Sequence, residues 1–102
     1  YGYVAPPLDG IWATAPYLHN ASVPDLETLL NSSTRPKYWK RSFIDSEYNL
    51  TNIGWNYTEE TSVGDKYTYD TTIPGYGNAG HTFGDTLSNA QRTSLIEYLK
   101  TL

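Results

Sequence analysis

The stretch that decides the fold class lies at residues 87–102 and reads LSNAQRTSLIEYLKTL. Ser88 and Gln91 form a Ser-x-x-Gln capping box, which is typical of a helix N-terminus. The large apolar residues that follow recur at helical spacing and form one stripe, namely Leu95, Ile96, Leu99 and Leu102. Glu97 and Lys100 lie three residues apart on the exposed side, where opposite charges pair. The stretch therefore predicts an amphipathic helix over 88–101.

A second helix is predicted over residues 22–31. Ser22 is a suitable N-cap, and Asp25 follows three residues later, which is close to a capping box. Pro24 falls in the first turn, where its missing N–H costs nothing. The apolar face consists of Leu26, Leu29 and Leu30. The polar run at 31–33 ends this helix.

Residues 32–86 show little periodicity, because turn-forming residues separate isolated aromatic ones. Short strands are predicted at Tyr38–Phe43 and Lys66–Tyr69. No internal repeat and no linker divide the chain. We therefore predict a mostly α, loop-rich, partial domain with two main helices and a long irregular middle. A structureless stretch of this length is typical of functional or partner-bound segments.

The composition limits the core that the chain can build. Hydrophobic residues are 38% of the 102, and ten tyrosines, three tryptophans and two phenylalanines supply much of that share. A buried tyrosine also needs a partner for its hydroxyl. We therefore expect the chain to depend on a ligand, a partner chain or another part of the same polypeptide.

Charge and hydropathy exclude two classes of partner. The net charge is −4 and no basic stripe is present, which argues against nucleic acid. No apolar run approaches the roughly 20 residues of a membrane span. Cysteine and methionine are both absent, so the chain has no Cys-x-x-Cys-His haem-attachment motif and no methionine ligand.

Two histidines are the main candidates for site chemistry. His81 lies in the glycine-rich stretch IPGYGNAGHTFG at 73–84, where glycine lets the backbone approach a bulky planar group. Imidazole is a common axial haem ligand. On local sequence alone, a loop histidine that only forms hydrogen bonds is favoured. His19, just before the predicted helix, either fixes the turn or reaches a haem propionate, and the first role is favoured.

Other functions find less support in the sequence. No Gly-x-Ser-x-Gly elbow marks a serine hydrolase. A carboxylate pair of the glycosidase type stays open, although nothing singles out two of the eleven acids. Four aromatic residues form either a sugar-binding face or, as we favour, part of the core: Trp12, Tyr38, Trp39 and Trp55.

Four Asn-x-Ser/Thr sequons begin at Asn20, Asn31, Asn49 and Asn56. Their density favours a secreted glycoprotein, while a Ser/Thr/Asn-rich surface explains them equally well.

Three segments together resemble a known family. The stretch PLDGIWATAPYLHNASVPDL at 7–26 is similar to the Thr-Ala-Pro-Tyr-x-His segment near the end of di-haem cytochrome c peroxidases. It is closer still to the rubber-oxygenase-like c-type cytochromes, which read GIWATAPYLHNGSVP. The stretch 73–81 and the closing helix resemble later parts of the same family, whereas 35–70 matches only loosely. Ala21 departs from the glycine that is usual after His-Asn.

The resemblance implies that residues 1–102 are the C-terminal part of a cytochrome c-like domain without its haem-attachment segment. Haem c would then be attached in the remainder of the polypeptide or in a second chain. The implied cofactor-binding residues are His81, His19, Gly80, Tyr17 and Trp12. The resemblance does not fix the roles of the two histidines. Because His81 lies in the glycine-bracketed loop, we expect it to be the axial ligand to the metal, with His19 outside the coordination sphere. The resemblance implies a secreted or periplasmic oxidoreductase or electron-transfer protein, of the kind that includes haem peroxidases and oxygenases. The alternative is a secreted structural or assembly module that has lost haem.

Overall fold

The computed structural model describes residues 7–42 and 48–102. Two α-helices lie within this part of the chain, α1 at Leu26–Leu29 and α2 at Asn89–Leu99. Short 3-10 helices occupy Ile11–Ala13 and Ser32–Thr34. The strands are β1 Tyr38–Arg41, β2 Tyr48–Asn49, β3 Gly54–Trp55, β4 Tyr57–Glu60 and β5 Tyr69–Asp70.

The expectation of a mostly α fold is wrong. Helix accounts for 23% and strand for 19% of the described residues, so the fold is mixed, with two small antiparallel sheets in that part of the chain. Every described strand lies in the segment 32–86, which we expected to be irregular. Aromatic residues and threonine favour strands. The strands are two to four residues long, too short to show an alternating pattern in the sequence.

The larger sheet has the strand order β4-β1-β5, with β1 in the centre. Tyr38 pairs with Glu60 on one side and with Asp70 on the other. Strand β1 therefore forms as predicted up to Arg41, while Phe43 lies outside the described residues. The strand predicted at 66–69 is wrong except at its end, because only Tyr69–Asp70 pairs with β1. The second sheet is the pair β2-β3.

Helix α1 begins later than predicted. Its N-cap is Asp25, not Ser22, and the Asp25 carboxylate accepts a hydrogen bond from the Thr28 backbone N–H at 2.9 Å. Val23 precedes a proline, which disfavours helical backbone, and it pairs instead with Tyr17 across an antiparallel bridge. The predicted first turn is therefore extended backbone.

Helix α2 confirms the prediction for the C-terminal stretch. Both halves of the capping box form, with Ser88 and Gln91 each accepting a hydrogen bond from the other's backbone N–H. Glu97 and Lys100 form the expected ion pair. The apolar stripe faces the core, where Ile96 and Leu99 are buried.

One apolar cluster joins the N-terminal segment to α2. Its buried members are Tyr17, Val23, Leu26, Ile53, Ile96 and Leu99. Trp39 is buried beside it, with its indole N–H donating to the Ser22 carbonyl at 3.1 Å. The core thus fixes the segment 17–26 in the centre of the fold and leaves the connection between β5 and α2 at the surface.

Candidate functional site

His81 lies on the connection between β5 and α2, with its side chain exposed and its φ at 55°. Histidine is among the residues that tolerate this left-handed region. The Phe83 ring centre lies 6.2 Å from the imidazole, and Phe83 is 86% exposed. At Gly80, no heavy atom lies within 4 Å of the position that a Cβ would occupy. An imidazole, an apolar ring and bare backbone therefore meet at one surface.

His19 lies in the tight turn between Tyr17 and Val23. The backbones of those two residues exchange hydrogen bonds of 2.7 and 3.3 Å, which close the turn. Within the turn, Leu18 and Ala21 have φ values of 68° and 58°. Such values favour glycine. The conformation at Ala21 therefore explains why glycine is usual there in the cytochromes that this segment resembles.

The Asn20 side chain joins the turn that carries His19 to the glycine-rich loop. Its amide donates to the carbonyl oxygens of Gly75 and Gly77, at 3.2 and 2.8 Å. The Tyr69 hydroxyl donates to the Asn20 carbonyl at 2.9 Å. The structure thus brings the two predicted histidine segments into contact through this asparagine, although the two were far apart in sequence.

Tyr17 is a core residue with its hydroxyl already engaged. The side chain is 5% exposed, and its hydroxyl donates to the Ile11 carbonyl at 3.0 Å. The Tyr48 hydroxyl lies 3.5 Å away. Burial, reinforced by that hydroxyl, raises the pKa of Tyr17 well above its usual value, so the phenol stays protonated. Tyr17 supports the His19 turn from inside the fold.

Trp12 lies in the first 3-10 helix and is 40% exposed. The backbone N–H of Gly10, which precedes that helix, donates to the Leu102 carbonyl at 3.1 Å. Trp12 therefore lies near the C-terminal residue of the chain and presents part of its indole to the surface.

The other two tryptophans, Trp39 and Trp55, pack within the fold. Trp39 is 6% exposed and stacks on Tyr69 at 5.4 Å between ring centres. Trp55 meets the edge of Tyr48 at 4.9 Å and lies under the Arg41 guanidinium at 3.9 Å. This packing favours the core role over a sugar-binding face for both tryptophans.

Of the sequon asparagines, Asn20 lies in a turn and Asn49 in β2, whereas Asn31 precedes the second 3-10 helix and Asn56 lies between β3 and β4. Asn49 and Asn56 contact each other, with the Asn49 amide donating to the Asn56 side-chain oxygen at 3.2 Å. The Asn31 side chain accepts a hydrogen bond from the Ser33 hydroxyl at 2.7 Å. Asn20 makes the loop contacts described above through the amide that a glycan would occupy. Glycosylation at these four positions stays a prediction.

Sequence reasoning missed two arginines that contact the His81 loop. Arg35 donates to the His81 carbonyl at 2.8 Å, and Arg92 donates to the Asp85 carbonyl at 3.1 Å. Burial lowers the pKa of Arg35, and the Asp85 carboxylate opposes that shift. Nothing in the residues around either arginine marks it in the sequence, since both bind backbone oxygens of distant residues.

Two further findings apply to residues 7–42 and 48–102. No three His, Asp or Glu side chains there lie close enough together to hold a metal ion as a cluster. None of the described helices has the length and apolar character needed to cross a membrane.

One family model matches the N-terminal segment of the chain, which contains the turn that carries His19. Residues 2–40 match the family model described as RoxA-like, cytochrome c-like, and this match supports a RoxA-like cytochrome c family. The matched segment contains Trp12, Tyr17 and His19, while Gly80 and His81 lie beyond it.

Two relatives from Sinorhizobium fredii are uncharacterized proteins. The chain is 44% identical to y4iJ over 111 residues, which cover 98% of this chain and 18% of that protein. It is 48% identical to y4iM over 54 residues, which cover 53% of this chain and 12% of that protein. The chain thus spans less than a fifth of the length of the curated relatives it matches.

Proposed function

We propose that residues 1–102 are the haem-packing, C-terminal part of a cytochrome c-like domain in an oxidoreductase or electron-transfer protein. In this proposal His81 is an axial ligand to a haem c attached outside this segment. The family match supports the cytochrome class. The observation that carries the ligand assignment is an exposed imidazole beside Phe83, which is 86% exposed. An aromatic ring left so open is suited to packing against another apolar surface.

The side chains at this surface fit a haem. With cysteine and methionine absent from the chain, histidine is the leading candidate for a protein ligand to the iron. Gly80 lets the backbone approach a planar group closely, because nothing occupies the space beside it. Haem supplies one-electron and oxygen chemistry when bound. The chain's own contribution is to ligate, to pack against the ring and to limit access of water.

The other predicted residues take supporting roles in this proposal. His19 lies outside the coordination sphere, where it orients its turn or reaches a propionate. Tyr17 holds that turn from the core, and Trp12 supplies partly exposed apolar surface. The Cys-x-x-Cys-His motif comes from the remainder of the polypeptide or from a second chain. Cytochromes of this class are typically extracytoplasmic, which supports a secreted or periplasmic location.

The spin state of the haem iron tests the ligand assignment. A haem with His81 as its sixth ligand is six-coordinate and low-spin, so His81→Ala in the haem-loaded protein should convert that haem to high-spin. His19→Ala is the matched control and should leave the spin state unchanged. If only His19→Ala changes the spectrum, the two roles are exchanged, and if neither variant does, this chain does not ligate the iron.

A structural or assembly module without haem is the second candidate. The observation that favours it is the set of aromatic side chains at the surface, including Tyr67 at 56% and Tyr98 at 60% exposed. An absorbance spectrum separates the two functions. A Soret band that stays with the polypeptide after denaturation supports the cytochrome, and its absence supports the assembly module.

A further inference from the structure

The loop that carries His81 makes few backbone hydrogen bonds of its own. Between residues 72 and 87, the described backbone bonds within the loop are Tyr76 N–H to Ile73, Asp85 N–H to Thr82 and Leu87 N–H to Gly84. None of them involves a backbone group of residues 77–81. The conformation around His81 must therefore be set by groups from outside the loop.

The Arg35 side chain supplies most of those groups, and the Pro36 carbonyl supplies another by accepting a hydrogen bond from the Asn78 side chain at 2.9 Å. A guanidinium has five N–H donors in a fixed planar arrangement. The acceptors are all backbone carbonyl oxygens: Thr28 at 3.2 Å, Leu29 at 2.9 Å, Asn78 at 2.5 Å, Gly80 at 2.6 Å and His81 at 2.8 Å. Every donor is thereby used, with two bonds to α1 and three to the loop.

Other side chains hold the flanks of the loop. Asn20 binds the carbonyl oxygens of Gly75 and Gly77 on the N-terminal side. On the C-terminal side, Arg92 is 8% exposed and donates to the carbonyl oxygens of Leu30, Gly84 and Asp85. The three residues around His81 that accept hydrogen bonds from Arg35 lie between these two anchors.

The geometry points to Arg35 as the positioning residue of His81. Its guanidinium fixes the backbone of residues 78–81 against the end of α1. Because the His81 carbonyl is held and its φ lies at 55°, the direction of the Cα–Cβ bond is fixed as well. That the oriented imidazole binds haem iron rests on the proposed function. The orientation of His81 by Arg35 does not depend on it.

Lysine cannot replace Arg35 in this role. The lysine ammonium group is a compact charge, and it cannot reach the carbonyl oxygens of α1 and those of the loop at the same time, as the planar guanidinium does. Arg35→Lys therefore keeps the charge and removes the geometry. Arg41→Lys is the matched control, because the Arg41 guanidinium lies over the Trp55 ring and donates none of the described hydrogen bonds to residues 78–81.

Chymotrypsin cleavage after Phe83 in the intact, haem-loaded protein measures loop opening without reference to the iron. Cleavage of a native protein follows the population of the opened segment when opening is fast. Arg35→Lys should raise the cleavage rate about tenfold or more, since one hydrogen bond to a charged group changes an equilibrium by about that factor. Arg41→Lys should leave the rate unchanged. The same Arg35→Lys sample should show a larger high-spin fraction.

The outcomes separate this inference from the proposed function. An unchanged cleavage rate in Arg35→Lys overturns the positioning role, whatever the haem does. Faster cleavage with an unchanged spin state retains the hold of Arg35 on the loop, and the His81→Ala spectrum then decides whether His81 ligates the iron. If Arg35→Lys does not fold, Asn20→Ala is the second test. Because Arg35 still holds residues 78–81 in that variant, its rate of cleavage after Phe83 should stay within about twofold of wild type. A tenfold rise in Asn20→Ala would overturn the role assigned to Arg35.

Discussion

Gly84→Ala should detach the His81 loop from the end of α1. A Cβ at this position would lie 2.5 Å from the Leu30 carbonyl oxygen and 2.7 Å from the Leu30 Cα. Ordinary contacts between carbon atoms are about 3.5–4.0 Å, so the two backbones must part by about 1 Å. The Leu30 oxygen also accepts a hydrogen bond from Arg92 at 2.9 Å, which the same movement would stretch.

The expected cost follows from those two effects. Overpacking costs about 1–3 kcal/mol, and a hydrogen bond to a charged group contributes about 1.5–3 kcal/mol. Because the backbone relaxes in part, we expect a total loss of roughly 2–4 kcal/mol in the free energy of loop opening. The Leu87 amide donates to the Gly84 carbonyl at 3.1 Å, so its hydrogen exchange reports on loop opening. A loss of this size should accelerate that exchange by at least about thirtyfold.

Gly80→Ala is the control for this experiment. A Cβ at Gly80 meets no heavy atom within 4 Å, so the free energy of loop opening should change by less than about 0.5 kcal/mol. Equal effects of the two substitutions, or no effect of Gly84→Ala, would refute the argument from the contact with Leu30.

Three further outcomes follow from single residues. Burial raises the pKa of Asp25, so its ionisation opposes folding as the pH rises. Asp25→Ala, which removes the acceptor for the Thr28 N–H, should lower the free energy of unfolding by about 1–2 kcal/mol in a urea titration. Asp25→Asn keeps that acceptor and should lower it by less. Equal losses would contradict this. Ala21→Gly should stabilise by about 1 kcal/mol, because it relieves a φ of 58°, and a lower urea midpoint would contradict that. Hydrogen bonds from Ser32 lower the pKa of Asp85, so its contribution is present above the usual value of 3.8 and lost as the pH falls through the folded pKa. Exchange of the Ser32 amide, corrected for intrinsic rates, should accelerate over that range in wild type but not in Asp85→Asn.

Local patterns in the sequence were sufficient where the structure is local. The capping box at Ser88 and Gln91 and the apolar stripe of α2 involve residues within a few turns of one another, and both form. Helix α1 shows the opposite case. Val23 was expected inside the helix and instead pairs with Tyr17, a contact made by a turn that the local pattern did not predict.

The larger sheet could not be predicted as a whole, because its strands pair across long distances in sequence and each strand is short. Strand β1 pairs with β4, about twenty residues later, and with β5, about thirty residues later. A strand of two residues such as Tyr69–Asp70 gives no alternating pattern. Turn-forming residues outnumber strand residues in the segment 32–86, so the sequence predicted an irregular stretch there. The two helices were then the main predicted elements, which led to the incorrect expectation of a mostly α fold.

The loop around His81 was predictable from the sequence, whereas the side chains that hold it were not. Glycines around His81 indicated a loop where a planar group can approach, and the structure places that loop at the surface. Arg35 binds that loop through carbonyl oxygens 43 to 46 residues away. A backbone carbonyl is present at every residue, so no residue type in the loop marks it as the partner of an arginine.

Within the segment that carries the family match, residues 17–26 lie in the centre of the fold. Residues 2–40 include Tyr17, Val23 and Leu26, all of them in the core cluster, together with His19 at the surface. The similarity of this segment to the family is therefore explained by core packing as well as by a role in binding a haem. His81 lies beyond the match, and its assignment rests on exposure and on the loop chemistry. The substitutions His81→Ala and His19→Ala therefore test which of the two segments supplies the ligand to the iron. A change confined to His81→Ala would place ligation on the arginine-held loop, and a change confined to His19→Ala would place it on the core turn.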